Sequence, residues 1–406
     1  MKIAVLTIGD EILSGFTLNT NAAWIGQELL KIGVIVNSQL TISDNSEDII
    51  KYLEYFTAEK YTHIIVTGGL GPTHDDVTPS AIYQFFSAKQ VFDEEYWEEL
   101  KNRFAKRNIQ IPEKNRNQAM RPNNGNVIDN PIGSARGLHF ERNGINYFAT
   151  PGVPAEMKAM MESTIIPLLQ KKSDIDMFVK TIRTIGMGES VIAEKIEYLI
   201  EKYSPKIKIA FLPQLYRVDI RLFSKDKKML DQFVKEMEEI LAEKIYGYDD
   251  DTIEKAVAKL LINKKMTVAT AESCTGGLLA HRLTNVSGSS KYIHGSIVSY
   301  SNDVKIAEVG VKKETLIAHG AVSEQTAGEM ARGIQKKFLT DIGIGITGIA
   351  GPTGGTDEKP VGLVFIGLAI KDKLIVKQFM FLKDRKANKL LSSQTALNML
   401  RLQLLK

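Results

Sequence analysis

At both ends of this chain, short runs of buried-type residues alternate with segments of helical period, and several runs end in a polar, glycine-rich loop. That alternation restricts the fold to mainly parallel sheets covered by helices, and it places ligands at the carboxyl ends of the strands. In the amino-terminal block, strands are expected over Lys2–Ile8, Val34–Thr41 and His63–Thr67, with helices over Asn21–Ile32 and Ser46–Glu59 between them. Helices follow over Pro79–Phe86 and Glu94–Arg107, then a polar loop from Ile111 to Asn130. Leu138–Arg142 and Ile145–Ala149 read as a hairpin turned at Asn143-Gly144, and Pro154 opens a helix that ends near Leu169.

Lys171–Asp176 is a charged break that reads as a linker. Strand Phe178–Ile185, helix Ser190–Tyr203, strands Lys206–Phe211 and Arg217–Phe223, and helix Asp226–Glu243 then make a small α+β unit closed by Asp249-Asp250-Asp251. From Thr252 the α/β pattern restarts, with a helix to Asn263, strand Thr267–Ala271, helix Gly276–Leu283 and strand Gly295–Tyr300. Helix Ser323–Phe338, strands Ile342–Thr347, Val361–Ile370 and Leu374–Phe381, and a last helix from Asn388 complete it. The fold class is therefore α/β: two α/β domains, at residues 1–170 and 252–406, joined by a small α+β domain at 177–248.

Composition excludes several classes. With 44% hydrophobic and 25% charged residues, the chain is neither disordered nor fibrous. The longest nearly apolar stretch, Val361–Ile370, is about half the ~20 residues of a spanning helix, which argues against a membrane partner. Met1–Leu6 reads as a first strand rather than a signal peptide. The single cysteine, Cys274, cannot form an internal disulfide and suits a reducing cytoplasm. Six scattered histidines offer no zinc cluster, and a net charge of +4 is too mild to argue for nucleic acid.

Two polar loops fall on the same edge of the first sheet. One is Gly9-Asp10-Glu11-Ile12-Leu13-Ser14-Gly15, followed by Asn19-Thr20-Asn21; the other runs from Gly68 through Gly69, Leu70, Gly71, Pro72, Thr73, His74, Asp75 and Asp76 to Thr78. Glycines let backbone N–H groups approach an anion closely, and Asp10, Asp75 and Asp76 are oxygen donors for a hard divalent ion. The same residue types also serve ordinary turns and caps. Together the two loops resemble the amino-terminal domain of the CinA family, which is similar to the molybdopterin-binding fold, and Pro151-Gly152-Val153-Pro154-Ala155-Glu156-Met157 matches a third family loop. The resemblance implies hydrolysis of ADP-ribose-like nucleotides with a divalent metal (Mg, Mn or Co). It gives Asp10, Asp75 and Asp76 as metal ligands, with their individual roles open. Ser14, Asn21, Gly68, Gly69, Gly71, Thr73 and Thr78 are the substrate-binding candidates. Binding of a molybdopterin-like ligand is the older inference from the same resemblance.

A second constellation, Ala271-Glu272-Ser273-Cys274-Thr275-Gly276-Gly277, lies where a strand turns into a helix. A nucleophile there is presented beyond the sheet edge, and the N–H groups of Thr275, Gly276 and Gly277 form an anion site. Ser273 and Cys274 both qualify; no Gly-x-Ser-x-Gly or histidine-triad motif is present. A lysine whose pKa is lowered by burial is the alternative base, and Lys305 in Ser299-Tyr300-Ser301-Asn302-Asp303-Val304-Lys305 is the best placed. By chemistry alone Ser273 also reads as a helix cap, Cys274 as a packer and Lys305 as a solvated lysine.

The block resembles the CinA carboxy-terminal domain, through this run and through Tyr-Ser-Asn-x-x-Lys at Tyr300, His319–Ser323, Thr347-Gly348-Ile349-Ala350-Gly351-Pro352 and Lys359-Pro360-Val361-Gly362. That domain is similar to amidohydrolases that convert nicotinamide mononucleotide (NMN) to nicotinate mononucleotide and ammonia without a cofactor. The resemblance implies Ser273 as nucleophile, Lys305 as base, and Tyr300, Thr347, Gly348, Gly351 and Gly354 around the substrate.

Gly186-Met187-Gly188-Glu189 is similar to the Gly-x-x-Gly loop of KH domains, but it lacks basic neighbours and carries Glu189, so a structural spacer is the better reading. The family pattern implies a scaffolding, dimer-forming role for this segment. The competing class is a non-enzymatic competence or DNA-damage accessory that acts by binding other proteins.

Overall fold

A computed structural model describes residues 1–71, 76–106, 108–171, 177–381 and 384–406 of the chain. It divides into two compact units, Met1–Val179 with Ser224–Lys227, and Lys180–Phe223 with Lys228–Lys406.

In the first unit, strands β1 (Ile3–Ile8), β2 (Val36–Ile42) and β3 (His63–Thr67) alternate with helices Thr20–Lys31 and Ser46–Ala58. Short strands β4 (Gln90–Phe92) and β5 (Met120–Pro122) pair with each other. Strands β6 (Asn126–Ile128), β7 (Gly137–Arg142) and β8 (Ile145–Thr150) complete the main sheet, in the order β2-β1-β3-β8-β7-β6. The first four strands run parallel, β7 runs against β8, and β6 runs against β7. β1 and β3 are buried along their whole length, as strands covered by helices on both faces must be. The hairpin forms at Asn143-Gly144, both at positive φ, as that dipeptide predicts.

Two expectations change here. The stretch from Ile111 to Asn130 is not simply loop: it holds a 3-10 segment, Glu113–Ala119, and strands β5 and β6. The helix opened by Pro154 passes through a wider π turn at Met161–Ile165, a local change of winding that hydrophobic period does not report. The linker, apart from Lys171, lies outside the described residues.

The second unit begins with β9 (Phe178–Ile185), β10 (Ile207–Gln214), β11 (Arg217–Ser224) and β12 (Ile245–Tyr248), ordered β10-β11-β9-β12. The expected helix over 190–203 is broken at Ile196 into Glu189–Lys195 and Glu197–Tyr203. A second sheet follows: β13 (Val268–Glu272), β14 (Ile293–Val298), β15 (Ile342–Gly348), β16 (Leu363–Ile370) and β17 (Lys373–Met380), in the order β14-β13-β15-β16-β17. Its first three strands are parallel, β16 runs against β15, and β17 runs against β16. Helix Glu324–Phe338 lies close against this sheet because Gly343 and Gly345 carry no side chain: a Cβ there would stand 2.1 Å from Ala331 O and 2.5 Å from Ala327 O. Ile185 and Tyr246 of the small sheet belong to the same apolar core as Val257, Val268 and Leu400, and Arg401 donates to the carbonyls of Glu243 and Ile245. The middle segment has its own sheet, and Ile185 and Tyr246 tie it to the carboxy-terminal core. No helix among the described residues is long and apolar enough to cross a membrane.

Candidate functional site

β13 and β14 are parallel neighbours, so the turn after Glu272 and the helix after β14 emerge on one sheet edge. The helix is Asn302–Val309, capped by Ser301, whose hydroxyl accepts from Val304 N–H. One turn in, Lys305 points back into the protein and is only 1% exposed. Its Nζ lies 3.2 Å from Ser273 Oγ, 2.8 Å from Ser299 O and 3.1 Å from Tyr300 O. Burial lowers the Lys305 pKa below its ordinary 10.5, and no carboxylate offsets that cost. A neutral amine has two N–H groups and one lone pair. In that form the two carbonyls would take the hydrogens and leave the lone pair for the serine hydroxyl.

The turn itself explains why Ser273 is the residue presented. Its N–H is tied to Ile346 O at 2.9 Å, its side chain reaches Lys305, and the backbone then reverses through Gly276 (φ 59) and Gly277 (φ 88), a left-handed pair that side chains oppose. Cys274 turns inward, 6% exposed, and belongs to the apolar core that also holds Ala350 and Leu397. Burial pushes its thiol up to about 12, so it stays protonated at neutral pH.

Glu272 is a functional residue that the sequence reading missed. Fully buried, its carboxylate accepts from the N–H groups of Leu279 (3.0 Å) and Ala280 (2.8 Å) at the start of helix Leu278–Thr284. These charge-assisted bonds hold the turn against the strand that carries it.

The expected oxyanion donors are reduced by one. The Gly276 N–H donates to Ser273 O at 3.1 Å and closes the turn, which leaves the N–H groups of Thr275 and Gly277. Thr275 is fully buried, and its hydroxyl has no partner, as is true of the Ser299 hydroxyl.

The remaining candidates divide. The Tyr300 ring is 61% exposed at the mouth, and its hydroxyl accepts from Arg385 Nη2 at 3.2 Å. Arg385 Nη1 donates to Gly351 O at 2.9 Å. Thr347 is buried and donates to Ala321 O at 2.6 Å, which fixes the end of β15. Gly348 is a packing glycine: a Cβ there would stand 2.7 Å from Leu363 O. Gly354 stands in open space at φ 87. Two cations of helix Arg385–Leu404 were unforeseen from sequence: Arg385, at Tyr300 and Gly351, and Lys389, whose Nζ would stand 3.4 Å from a Cβ on Gly276 of the turn. Their i, i+4 spacing was the available signal, but the expected helix began at Asn388, too late to include Arg385 in that face.

In the first unit, the loops after β1 and β3 meet as expected. A Cβ on Gly68 would stand 2.1 Å from Ile8 O, and one on Gly152 would stand 3.5 Å from Gly68 Cα, so all three loops converge. Asn21 is buried and donates to Thr67 Oγ1 (3.0 Å) and Gly152 O (2.9 Å), while its Oδ1 has no partner. Gly69, at φ 65, lies against the buried and unpartnered hydroxyl of Thr78. Ser14 is exposed and donates to Glu11 O at 3.2 Å. Gly71 N–H donates to Asp76 Oδ1 at 2.8 Å. Thr73, His74 and Asp75 lie outside the described residues.

A carboxylate absent from the sequence reading, Asp44, accepts from the Asp10 N–H at 2.9 Å. Burial, and then the charges of Asp10, Glu11 and Asp76, raise its pKa, although the Asp10 N–H opposes the rise. Among the described residues no group of three acidic, histidine or cysteine side chains is arranged to hold an ion. The donor chemistry nonetheless fits one: carboxylates close enough for Asp10, Glu11 and Asp76 to raise the Asp44 pKa offer the oxygen ligands that suit a hard divalent cation.

Three family models match: "probable molybdopterin binding domain" over residues 4–171, "damage-inducible protein CinA KH domain" over 179–247 and "CinA C-terminal domain" over 250–404. A CinA-like protein of Kosmotoga olearia is 40% identical, covering 100% of this chain and 99% of its own. Another, of Dictyoglomus turgidum, is 39% identical, covering 100% of both. Among solved structures, the competence/damage inducible protein CihA of Agrobacterium tumefaciens is 38% identical over 38% of this chain and 98% of its own, at a TM-score of 0.37.

Proposed function

For a chain that belongs to the CinA family, we propose that the carboxy-terminal site is an amidohydrolase that converts NMN to nicotinate mononucleotide and ammonia. The observation that carries this reading is the buried, carboxylate-free amine of Lys305 at 3.2 Å from Ser273 Oγ. An amine in that setting is a general base, and a serine beside it is an activated nucleophile.

The steps follow from the contacts. Lys305 Nζ accepts the Ser273 hydroxyl proton while Oγ bonds to the carboxamide carbon. The N–H groups of Thr275 and Gly277 stabilise the resulting oxyanion. The carbon–nitrogen bond breaks, the nitrogen leaves as ammonia with the proton held on Lys305, and an ester on Ser273 remains. Water, deprotonated by the same amine, then hydrolyses the ester to the carboxylate. Arg385 and Lys389 supply the positive charge at the mouth that a nucleotide 5′-phosphate requires. Incubation of the purified chain with NMN tests the reading. Equal amounts of ammonia and nicotinate mononucleotide are expected, and their absence overturns it.

The amino-terminal loops support a second reaction, hydrolysis of the ADP-ribose pyrophosphate bond to AMP and ribose 5-phosphate. Asp10, Asp75 and Asp76, with Asp44, would hold a divalent cation, whose chemistry is neutralisation of phosphate charge. The protein's own part is to bind: Gly69 and Thr78 bring backbone and hydroxyl groups to the phosphates, while the Gly71 N–H holds Asp76. AMP release that depends on divalent metal is the test.

A further inference from the structure

Lys305 sits on a helix that cannot hold its own place. Asn302–Val309 is eight residues long and ends at Gly310 (φ 68), too short to persist without tertiary support. Its support comes from helix Glu324–Phe338. A Cβ on Gly333 would stand 1.5 Å from Val309 O, so the long helix meets the end of the short one backbone to backbone. Val309 and Val311 share an apolar core with Met330 and Ile334 of the long helix and with Ala269 and Ala271 of β13, the strand that leads into Ser273.

Polar contacts then tie the chain just after the short helix. The Val311 N–H donates to Lys305 O at 3.0 Å. The next residue, Lys312, donates its N–H to Glu329 Oε2 at 2.9 Å, and the Thr315 hydroxyl donates to Glu329 Oε1 at 2.8 Å. Both oxygens of one carboxylate therefore hold this segment, through charge-assisted bonds about twice as strong as neutral ones. Glu329 does not act on the amine by its charge. Burial lowers the Lys305 pKa, and among the described residues only the Cys274 thiol acts against it. Of the charged groups on the elements around it, Glu272 is engaged by Leu279 and Ala280, Glu308 pairs with Lys337, and Lys389 lies at Gly276. We infer that Glu329 is a positioning residue for the deamidation: together with Gly333 it holds the segment that carries Lys305, so that the amine stays beside Ser273 Oγ and out of water. The inference rests on the proposed Ser273–Lys305 chemistry, but the position of the amine can be read without turnover.

That reading is the pH dependence of the Lys305 13Cε resonance in the lysine-labelled full chain, assigned by its loss in Lys305→Met, with NMN turnover measured beside it. In Glu329→Ala the segment loosens and water reaches the amine, so the midpoint should rise toward the ordinary 10.5 by about one pH unit. The kcat for NMN should fall about tenfold or more, with KM within about twofold. Loss of folded protein alone would scale activity at every pH and leave the midpoint in place. Glu329→Gln keeps one acceptor oxygen and should restore part of both effects. Lys337→Ala, which breaks an exposed ion pair between the same two helices, should change neither. Thr315→Val removes one donor with little change of shape and gives the same shift at smaller amplitude if Glu329→Ala fails to fold. An unmoved midpoint in the folded variants overturns the inference, as does an equal shift in Lys337→Ala. A wild type that leaves NMN intact removes the deamidase reading, while the resonance still decides whether Glu329 places the amine.

Discussion

Lys305 Nζ and Ser273 Oγ lie 3.2 Å apart although 32 residues separate them, because β13 and β14 are parallel neighbours and each delivers its residue to the same edge. No carboxylate keeps the amine charged, and burial lowers its pKa, which favours the free base that can accept the serine proton.

That setting fixes the sign of a pH profile. Burial lowers the Lys305 pKa from 10.5, and the protonated amine cannot accept the serine hydrogen. Deamidation measured as kcat/KM should therefore rise with pH through the lowered pKa and level off above it. Lys305→Arg keeps a charge that cannot be lost and should cost about 10³-fold or more. A profile that falls as pH rises over this range contradicts the assignment.

Cys274 gives the opposite expectation. With its thiol pushed up to about 12 and its side chain in the core, Cys274→Ala should keep kcat within about threefold and cost about 1 kcal/mol of stability for the small void. The native thiol should resist iodoacetamide. Rapid alkylation with matching loss of activity would count against this placement.

Glu272 accounts for how the turn is held. Glu272→Ala removes the acceptor for two buried N–H groups and should lower stability by about 2–3 kcal/mol, read as a shift of the denaturation midpoint. Activity should fall with it, since Ser273 is the next residue. An unchanged midpoint would mean the helix start finds other partners.

The two candidate sites should separate by mutation. Asp76→Asn should abolish metal-dependent AMP release from ADP-ribose and leave NMN deamidation unchanged, because Asp76 holds Gly71 in the first unit and takes no part in the Ser273 turn. Unchanged AMP release from Asp76→Asn removes the carboxylate assignment.

Much of this site was legible in the sequence because single loops carry it. Ser273, Cys274, Thr275 and the two glycines are contiguous, and Lys305 follows a capped helix start that Ser301 announces. The two loops after β1 and β3 were legible for the same reason: alternation fixes which strand ends are neighbours. What stayed hidden depends on tertiary placement. Asp44 reaches Asp10 from the loop after β2, and Arg385 reaches Tyr300 from a helix 85 residues away. Glu272 reads as a strand residue, and only the fold shows it capping the following helix. The Gly276 N–H was expected to face the substrate, and the turn consumes it instead. The fold followed the same division. Long periodic elements matched, whereas the break at Ile196 and the π turn at Met161–Ile165 arise from local backbone winding that period does not encode.

The most direct measurement is the mass of the chain quenched during turnover of NMN, with the modified peptide located by fragmentation. The account predicts a transient adduct of NMN less ammonia on Ser273, absent from Ser273→Ala, which should also release no ammonia. An adduct on Cys274, or ammonia release by Ser273→Ala at the wild-type rate, would contradict it.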